Sequence, residues 1–320
     1  MKIVILDAYT SNPGDLSWDG LKELGTLKIL DRVKHNPEVI SEAIGDAEAI
    51  LTNKTPISEA VLKQASKLKY IGVLATGYNV VDIKCAQKLG ITVTNIPSYS
   101  TQSVAQFTMG LLLEMCHHIG DHSNSVHQGD WERSLDFSYW NSPLIELAGK
   151  KFGIIGMGAI GQATAQLALA FGMEVIFHNR SNKPEAEKEN CRQVPLDQLL
   201  AESDFISLHS PLTPETEHLI NQDSISKMKD GVKLINTSRG PLIHEQDLYE
   251  ALESGKISGA AVDVVSVEPI KGDNPLLKAK NCIITPHIAW APWEGRKRLI
   301  QIATDNLKAF QEGKAVNVVS

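Results

Sequence analysis

Three ionisable residues in the second half of the chain, Arg239, Glu268 and His287, each stand just beyond a short apolar run. They occur in Ile235-Asn236-Thr237-Ser238-Arg239-Gly240, in Asp263-Val264-Val265-Ser266-Val267-Glu268-Pro269 and in Thr285-Pro286-His287. Such runs read as β-strands, and open α/β sheets place their sites at strand C-termini. The three residue types suit one reaction, the reduction of a 2-oxo acid to a 2-hydroxy acid. A histidine supplies a proton to the carbonyl oxygen near neutral pH. A carboxylate beside the imidazole orients it and favours its protonated form. An arginine fork binds the substrate carboxylate and polarises the carbonyl. Singly, each has a plainer alternative: a surface arginine, a charge at a helix start, a satisfied core histidine. Their joint placement beyond a cofactor motif is what points to chemistry.

That motif is Phe152-Gly153-Ile154-Ile155-Gly156-Met157-Gly158-Ala159-Ile160-Gly161, an apolar strand running into GxGxxG, then a helical pattern from Gln162 to Phe171 and a second strand at Val175–Phe177. Gly156 permits the turn, Gly158 lets a pyrophosphate approach the backbone, and Gly161 lets the helix pack closely on the strand. The helix N-terminus, at Ala159 and Ile160, offers free N–H groups to phosphate. An acid normally ends the second strand and binds the ribose 2′-hydroxyl of NAD. Here the chain reads His178-Asn179-Arg180-Ser181. Asn179 and Ser181 offer hydrogen bonds, and Arg180 suits a 2′-phosphate. The expected cofactor is therefore NAD(P), with NADP favoured over NAD. The alternative is that Arg180 merely covers the adenine while NAD binds.

These motifs need strands and helices to position them. Strand-like runs at Ile3–Leu6, Ala49–Thr52, Ile71–Leu74 and Ile91–Val93 form one series. Gly153–Ile155, Val175–Phe177, Phe205–Leu208, Leu234–Asn236, Ala260–Val262 and Ile283–Thr285 form a second. Apolar runs without polar alternation predict strands buried on both faces, and strand–helix alternation predicts βαβ units. The expected fold is α/β with two doubly wound domains. A Rossmann dinucleotide-binding domain spans 99–291. A smaller, discontinuous substrate domain comprises 1–98 and 292–320. Ser103–His118 and a segment from about Glu294 to Phe310 show helical spacing. Between them, Asp121–Leu147 breaks the βα rhythm and carries Trp131, Phe137, Tyr139 and Trp140. A long irregular stretch of this kind predicts an interface, with a plain surface loop as the alternative.

Composition narrows the classes. The 320 residues are 42% hydrophobic and 22% charged, as in ordinary globular chains, and the length suits two domains. A net charge of -7 argues against a nucleic-acid partner. No apolar stretch has the length to span a bilayer, and the run after Met1 ends at Asp7, too early for a signal peptide. Cys85, Cys116, Cys191 and Cys282 contain no CxxC pair, so no zinc ribbon or dithiol site is expected, and no metal. Scattered thiols fit a cytoplasmic protein.

On these residues the chain resembles the D-isomer-specific 2-hydroxyacid dehydrogenase family over nearly its whole length. The shared pieces are Ala75-Thr76-Gly77-Tyr78-Asn79-Val80-Val81-Asp82, the GxGxxG, Leu208-His209-Ser210-Pro211-Leu212-Thr213, the Asn-Thr-Ser-Arg-Gly run, Asp263 to Pro269, and Thr285-Pro286-His287. The spacings of 29 residues from Arg239 to Glu268 and 19 from Glu268 to His287 also match. The resemblance implies a flavodoxin-like substrate domain and catalytic roles for Arg239, Glu268 and His287. It implies carboxylate binding by the amides of Thr76 and Gly77, together with Arg239 and His287. It implies a carboxamide contact at Asp263 and cofactor lining by His209, Ser210, Pro211 and Thr237. It also implies a homodimer through the cofactor domain, with Trp140 reaching the partner's active site, and closure of the Thr76–Gly77 loop. The stretch His287–Ala291 is most similar to the glycerate dehydrogenase (hydroxypyruvate reductase) branch. That branch interconverts hydroxypyruvate or glyoxylate with D-glycerate or glycolate. The chain departs from the family at Gln106-Phe107, where many members have Glu-His, and its length leaves no room for a C-terminal regulatory domain. Two alternatives remain: a non-catalytic NAD(P)H sensor of the same fold, and formate dehydrogenase, which pairs a Gln rather than a Glu with its histidine.

Overall fold

The computed structural model describes residues 1–320 and divides them into two compact units, Met1–Ser100 with Ala291–Ser320, and Thr101–Trp290. In the first unit, five parallel strands lie in the order β2-β1-β3-β4-β5. They are β1 (Lys2–Ile5), β2 (Thr26–Ile29), β3 (Ala49–Thr52), β4 (Tyr70–Val73) and β5 (Thr92–Thr94). That is the flavodoxin-like order. β3 and β4 are buried along their whole length, as their unbroken apolar runs predict. The helix Trp293–Gln311 belongs to this unit, where Phe310 stacks against Tyr70 with ring centroids 5.0 Å apart. The Tyr70 hydroxyl is in turn bonded to Thr94 Oγ1 at 2.7 Å.

The second unit is built on seven parallel strands in the order β12-β11-β10-β9-β6-β7-β8. They are β6 (Lys151–Ile155), β7 (Glu174–His178), β8 (Cys191–Gln193), β9 (Phe205–Leu208), β10 (Val232–Asn236), β11 (Ile257–Val262) and β12 (Cys282–Ile284). Successive residues point to opposite faces. Ile155, Leu208, Leu234 and Val262 fill one core, and Ile154, Phe205, Ile235 and Ala261 fill the other. The helix Thr101–His117 covers the second of these faces through Met109, Leu112, Met115 and Cys116. All the strands run parallel, but the strand order reverses between the neighbours β6 and β9, and this switch point is where such sheets bind ligands.

Three features were not legible in the sequence runs. β2 and β8 are short edge strands with polar residues, Thr-Leu-Lys-Ile and Cys-Arg-Gln. One-sided pairing does not require an apolar run, so no hydrophobic pattern marked them. The stretch 121–147 is not irregular throughout, because Ile119–His127 is a helix. That helix carries Gly, Ser, Asn and His, which are poor helix formers and hid it.

Candidate functional site

The glycine-rich turn joins β6 to the helix Ala159–Ala170, which opens at Ala159 and Ile160 with its N–H groups directed at the loop. Gly156 has φ +102, and a Cβ there would lie 2.7 Å from the His209 carbonyl carbon. A Cβ on Gly161 would meet the Gly156 carbonyl oxygen at 2.2 Å. A Cβ on Gly158 would meet nothing within 4 Å, so its face of the turn is open. A pyrophosphate fits there, against backbone amides at a helix N-terminus. His209 Nε2 shares a hydrogen bond of 2.9 Å with Ser207 Oγ, while its buried Nδ1 has no partner in the protein. Burial pushes the His209 imidazole down to about 4, so the ring is neutral at physiological pH. Ser210 Oγ donates to Ile155 O at 3.2 Å, which binds the loop carrying Pro211 to the end of β6. Thr237, also buried, shares a 3.1 Å bond with Thr108 Oγ1.

At the end of β7, Asn179 Oδ1 accepts from Met157 N at 3.2 Å and its amide donates to Ser181 O and Oγ, each at 3.1 Å. Arg180 and Ser181 are exposed. The Asn179 side chain therefore ties the turn to the glycine loop, which the sequence reading did not anticipate.

Arg239, Glu268 and His287 leave β10, β11 and β12 at their C-terminal ends. His287 Nδ1 lies 2.7 Å from Glu268 Oε2. An ionised carboxylate only accepts, so Nδ1 carries the proton and Nε2 is the ring atom left for chemistry. Glu268 Oε1 also accepts from Val265 N at 3.3 Å. His287 itself sits at φ +54, a left-handed backbone uncommon for such a residue. Its N–H donates to Asp263 O at 2.8 Å, and Trp290 Nε1 donates to His287 O at 2.8 Å. The Asp263 carboxylate accepts from Thr285 Oγ1, Ile288 N and Ala289 N at 2.6, 2.9 and 2.8 Å. Burial raises the Asp263 carboxyl, and these three bonds oppose that. Asp263 thus braces the His287 loop. The role expected for it, at the carboxamide, falls on whatever acceptor capacity Oδ2 has left.

Arg239 is exposed, and its Nη1 donates to Ser238 O at 2.7 Å. Its loop is clamped by Asn236, whose Nδ2 donates to Arg239 O at 2.8 Å and whose Oδ1 accepts from Ser238 N at 3.0 Å. Next to it, a Cβ on Gly240 would fall 2.0 Å from the Val265 carbonyl, so only glycine lets the Arg239 loop lie on the strand end that leads to Glu268. Asn236, Thr285 and Trp290 were missed as supports. A fully buried asparagine ending an apolar strand was the available signal for the first. Thr76 and Gly77 lie beyond β4 in the other unit. The Thr76 side chain donates to Ile96 O at 2.8 Å, while no protein group accepts from the two backbone N–H groups.

A doubly wound sheet with an open glycine turn and a carboxylate–imidazole pair at its strand ends defines a dinucleotide-dependent oxidoreductase. Residues 109–289 match the family model described as D-isomer specific 2-hydroxyacid dehydrogenase, NAD binding domain. A hydroxypyruvate reductase of Blautia hydrogenotrophica is 57% identical over 322 residues, covering 100% of both chains. The crystal structure of D-lactate dehydrogenase from Aquifex aeolicus, complexed with NAD and lactic acid, is 33% identical. It superposes with a TM-score of 0.83, covering 98% of this chain and 96% of that one. An acyclic imino acid reductase solved with NADPH and D-Arg is 31% identical, with a TM-score of 0.86 and 100% of both chains covered. The chain belongs to the D-isomer-specific 2-hydroxyacid dehydrogenase family. It is an enzyme of hydride transfer between 2-oxo and 2-hydroxy acids, and its cofactor is NAD(P). No helix is long and apolar enough to cross a membrane.

Proposed function

We propose that this enzyme reduces hydroxypyruvate, and glyoxylate beside it, to D-glycerate and glycolate in the cytoplasm, with NADPH as the preferred cofactor. The observation that carries the chemistry is the 2.7 Å bond between Glu268 and His287 Nδ1, which fixes the ring and presents Nε2 as the acid. The substrate assignment draws on the 57% identical hydroxypyruvate reductase and on the similarity of His287–Ala291 to that branch.

The bound cofactor would supply the hydride for the substrate carbonyl carbon. His287 delivers the proton from Nε2 to the carbonyl oxygen, and Glu268 steadies the charged imidazolium beforehand. Arg239 takes the substrate carboxylate in its guanidinium fork. The free amides of Thr76 and Gly77 remain the proposed further donors to an anion. Gly156, Gly158, Gly161 and the amides of Ala159 and Ile160 are the proposed pyrophosphate cradle, with His209, Ser210, Pro211, Thr237 and Asp263 around the rest of the cofactor. The preference for NADPH is supported by Arg180, where an acid would repel a 2′-phosphate.

We also propose a homodimer formed through the cofactor domain by the arm 121–147. Trp131, Leu135, Phe137 and Trp140 are exposed there, while Trp131 Nε1 to Phe137 O at 3.0 Å folds the segment onto itself. The test of substrate is a panel of hydroxypyruvate, glyoxylate, pyruvate and bulkier 2-oxo acids with chiral analysis of the product. The reading expects the highest kcat/KM on hydroxypyruvate and D-glycerate as product. A preference for pyruvate or a branched 2-oxo acid contradicts it.

A further inference from the structure

We propose that Gln193, a residue on the edge strand β8, is a positioning residue that sets the cofactor preference by holding the turn 179–183 that presents Arg180. The inference rests on the reading of Arg180 as a contact to the cofactor's 2′ position.

Inside the turn the Asn179 amide bonds only Ser181, and Gln193 supports the rest from outside. Gln193 stands beside Phe177 in the β7–β8 ladder, so its side chain lies next to the point where the chain leaves β7. Its Oε1 accepts from Lys183 N at 2.8 Å. Its Nε2 donates to Asn179 O at 3.3 Å and to Ser181 O at 3.1 Å. One amide side chain thereby satisfies three backbone groups of the turn, of which Lys183 N and Asn179 O have no other partner. Asn179 completes the arrangement, joining Met157 N of the glycine turn to Ser181.

The consequence follows from which groups are spent. The side chains of Asn179 and Gln193 are committed to the backbone, and no hydrogen bond holds the exposed Arg180 guanidinium. A guanidinium selects a 2′-phosphate only if its Cα is fixed, since a mobile turn spends binding energy on ordering. An amide is the required type here, because it both donates and accepts. A carboxylate loses the donors, and an aliphatic group loses all three bonds. A tyrosine or lysine cannot reproduce the pattern.

The test is equilibrium fluorescence titration with NADPH and with NADH on the full chain, with kcat recorded alongside. The variants are Gln193→Leu, Gln193→Glu, Arg180→Ala and the double variant Gln193→Leu with Arg180→Ala. Gln193→Leu is expected to weaken NADPH by about tenfold, the scale of a charged hydrogen bond, and NADH by less than about threefold. Its kcat at saturation should stay within about twofold, since Gln193 is remote from the pair that moves the proton. In the Arg180→Ala background the selective loss should vanish, because the two residues act through one contact. Gln193→Glu keeps the acceptor for Lys183 N and loses the two donated bonds, so a loss in the same direction is expected. Equal weakening of both cofactors, an unmoved ratio, or an undiminished effect in the Arg180→Ala background overturns the proposal. A parent enzyme that prefers NADH overturns the NADPH reading alone, and the change of ratio on substitution still judges Gln193.

Discussion

At the scale of single residues, chemistry falls to the atoms that the fold leaves free. His287 Nδ1 is committed to Glu268, which leaves Nε2 to the substrate. The carboxylate holds the ring in the orientation that presents Nε2. Glu268→Ala should therefore lower kcat of reduction by about 100-fold with cofactor affinity unchanged, because the ring loses the acceptor that orients it. An unmoved kcat leaves Glu268 with no such part. His209 gives a pH effect. Its ring is pushed down from 6.5 to about 4 in the folded chain, so the unfolded chain binds more protons between those values. The contribution to stability is fully present above 6.5 and is lost as pH falls towards 4. Thermal unfolding of the apoenzyme should show Tm falling across that window, and His209→Gln should flatten the slope. A slope identical in the two proteins removes the effect from His209.

At the scale of elements, most of what positions the site was legible and some was not. The motif residues follow strand ends because β6, β9, β10 and β11 are buried almost throughout and β12, though half-buried at the sheet edge, is also an apolar run, and such runs stand out. Arg239, Glu268 and His287 were readable for that reason. The roles of Asn179, Asp263 and Gln193 within the fold were not. Their contacts are to backbone groups distant in sequence, such as Met157 N, Ala289 N and Lys183 N, and no local pattern encodes them. β8 was invisible for the same reason that Gln193 was overlooked: an edge strand of Cys, Arg and Gln carries no hydrophobic signal. The segment 121–147 was legible through its aromatic residues, of which Trp131, Phe137 and Trp140 are exposed and Tyr139 is half-buried, with Phe137 at 91%. These exposed apolar side chains are what the proposed homodimer would cover. Phe137→Glu with Leu135→Asp should convert a dimer into a monomer in light scattering. A parent chain that is already monomeric contradicts the dimer.

At the scale of the whole molecule, the chain forms two doubly wound units. In one, the Thr76 and Gly77 amides have no acceptor in the protein, and the other carries the glycine turn and the Glu268–His287 pair. The fold alone does not distinguish an enzyme from a nucleotide sensor, because both need the glycine cradle. The Glu268–His287 pair does, since cofactor binding has no use for an acid held at a strand end. The deciding measurement is turnover of hydroxypyruvate with NADPH or NADH by the parent chain and by His287→Ala, with cofactor affinity measured on both. The parent should turn over many times, and the variant should lose about 100-fold or more in kcat with cofactor binding unchanged. Tight cofactor binding by the parent with no turnover of any 2-oxo acid, or a variant as active as the parent, would contradict this assignment.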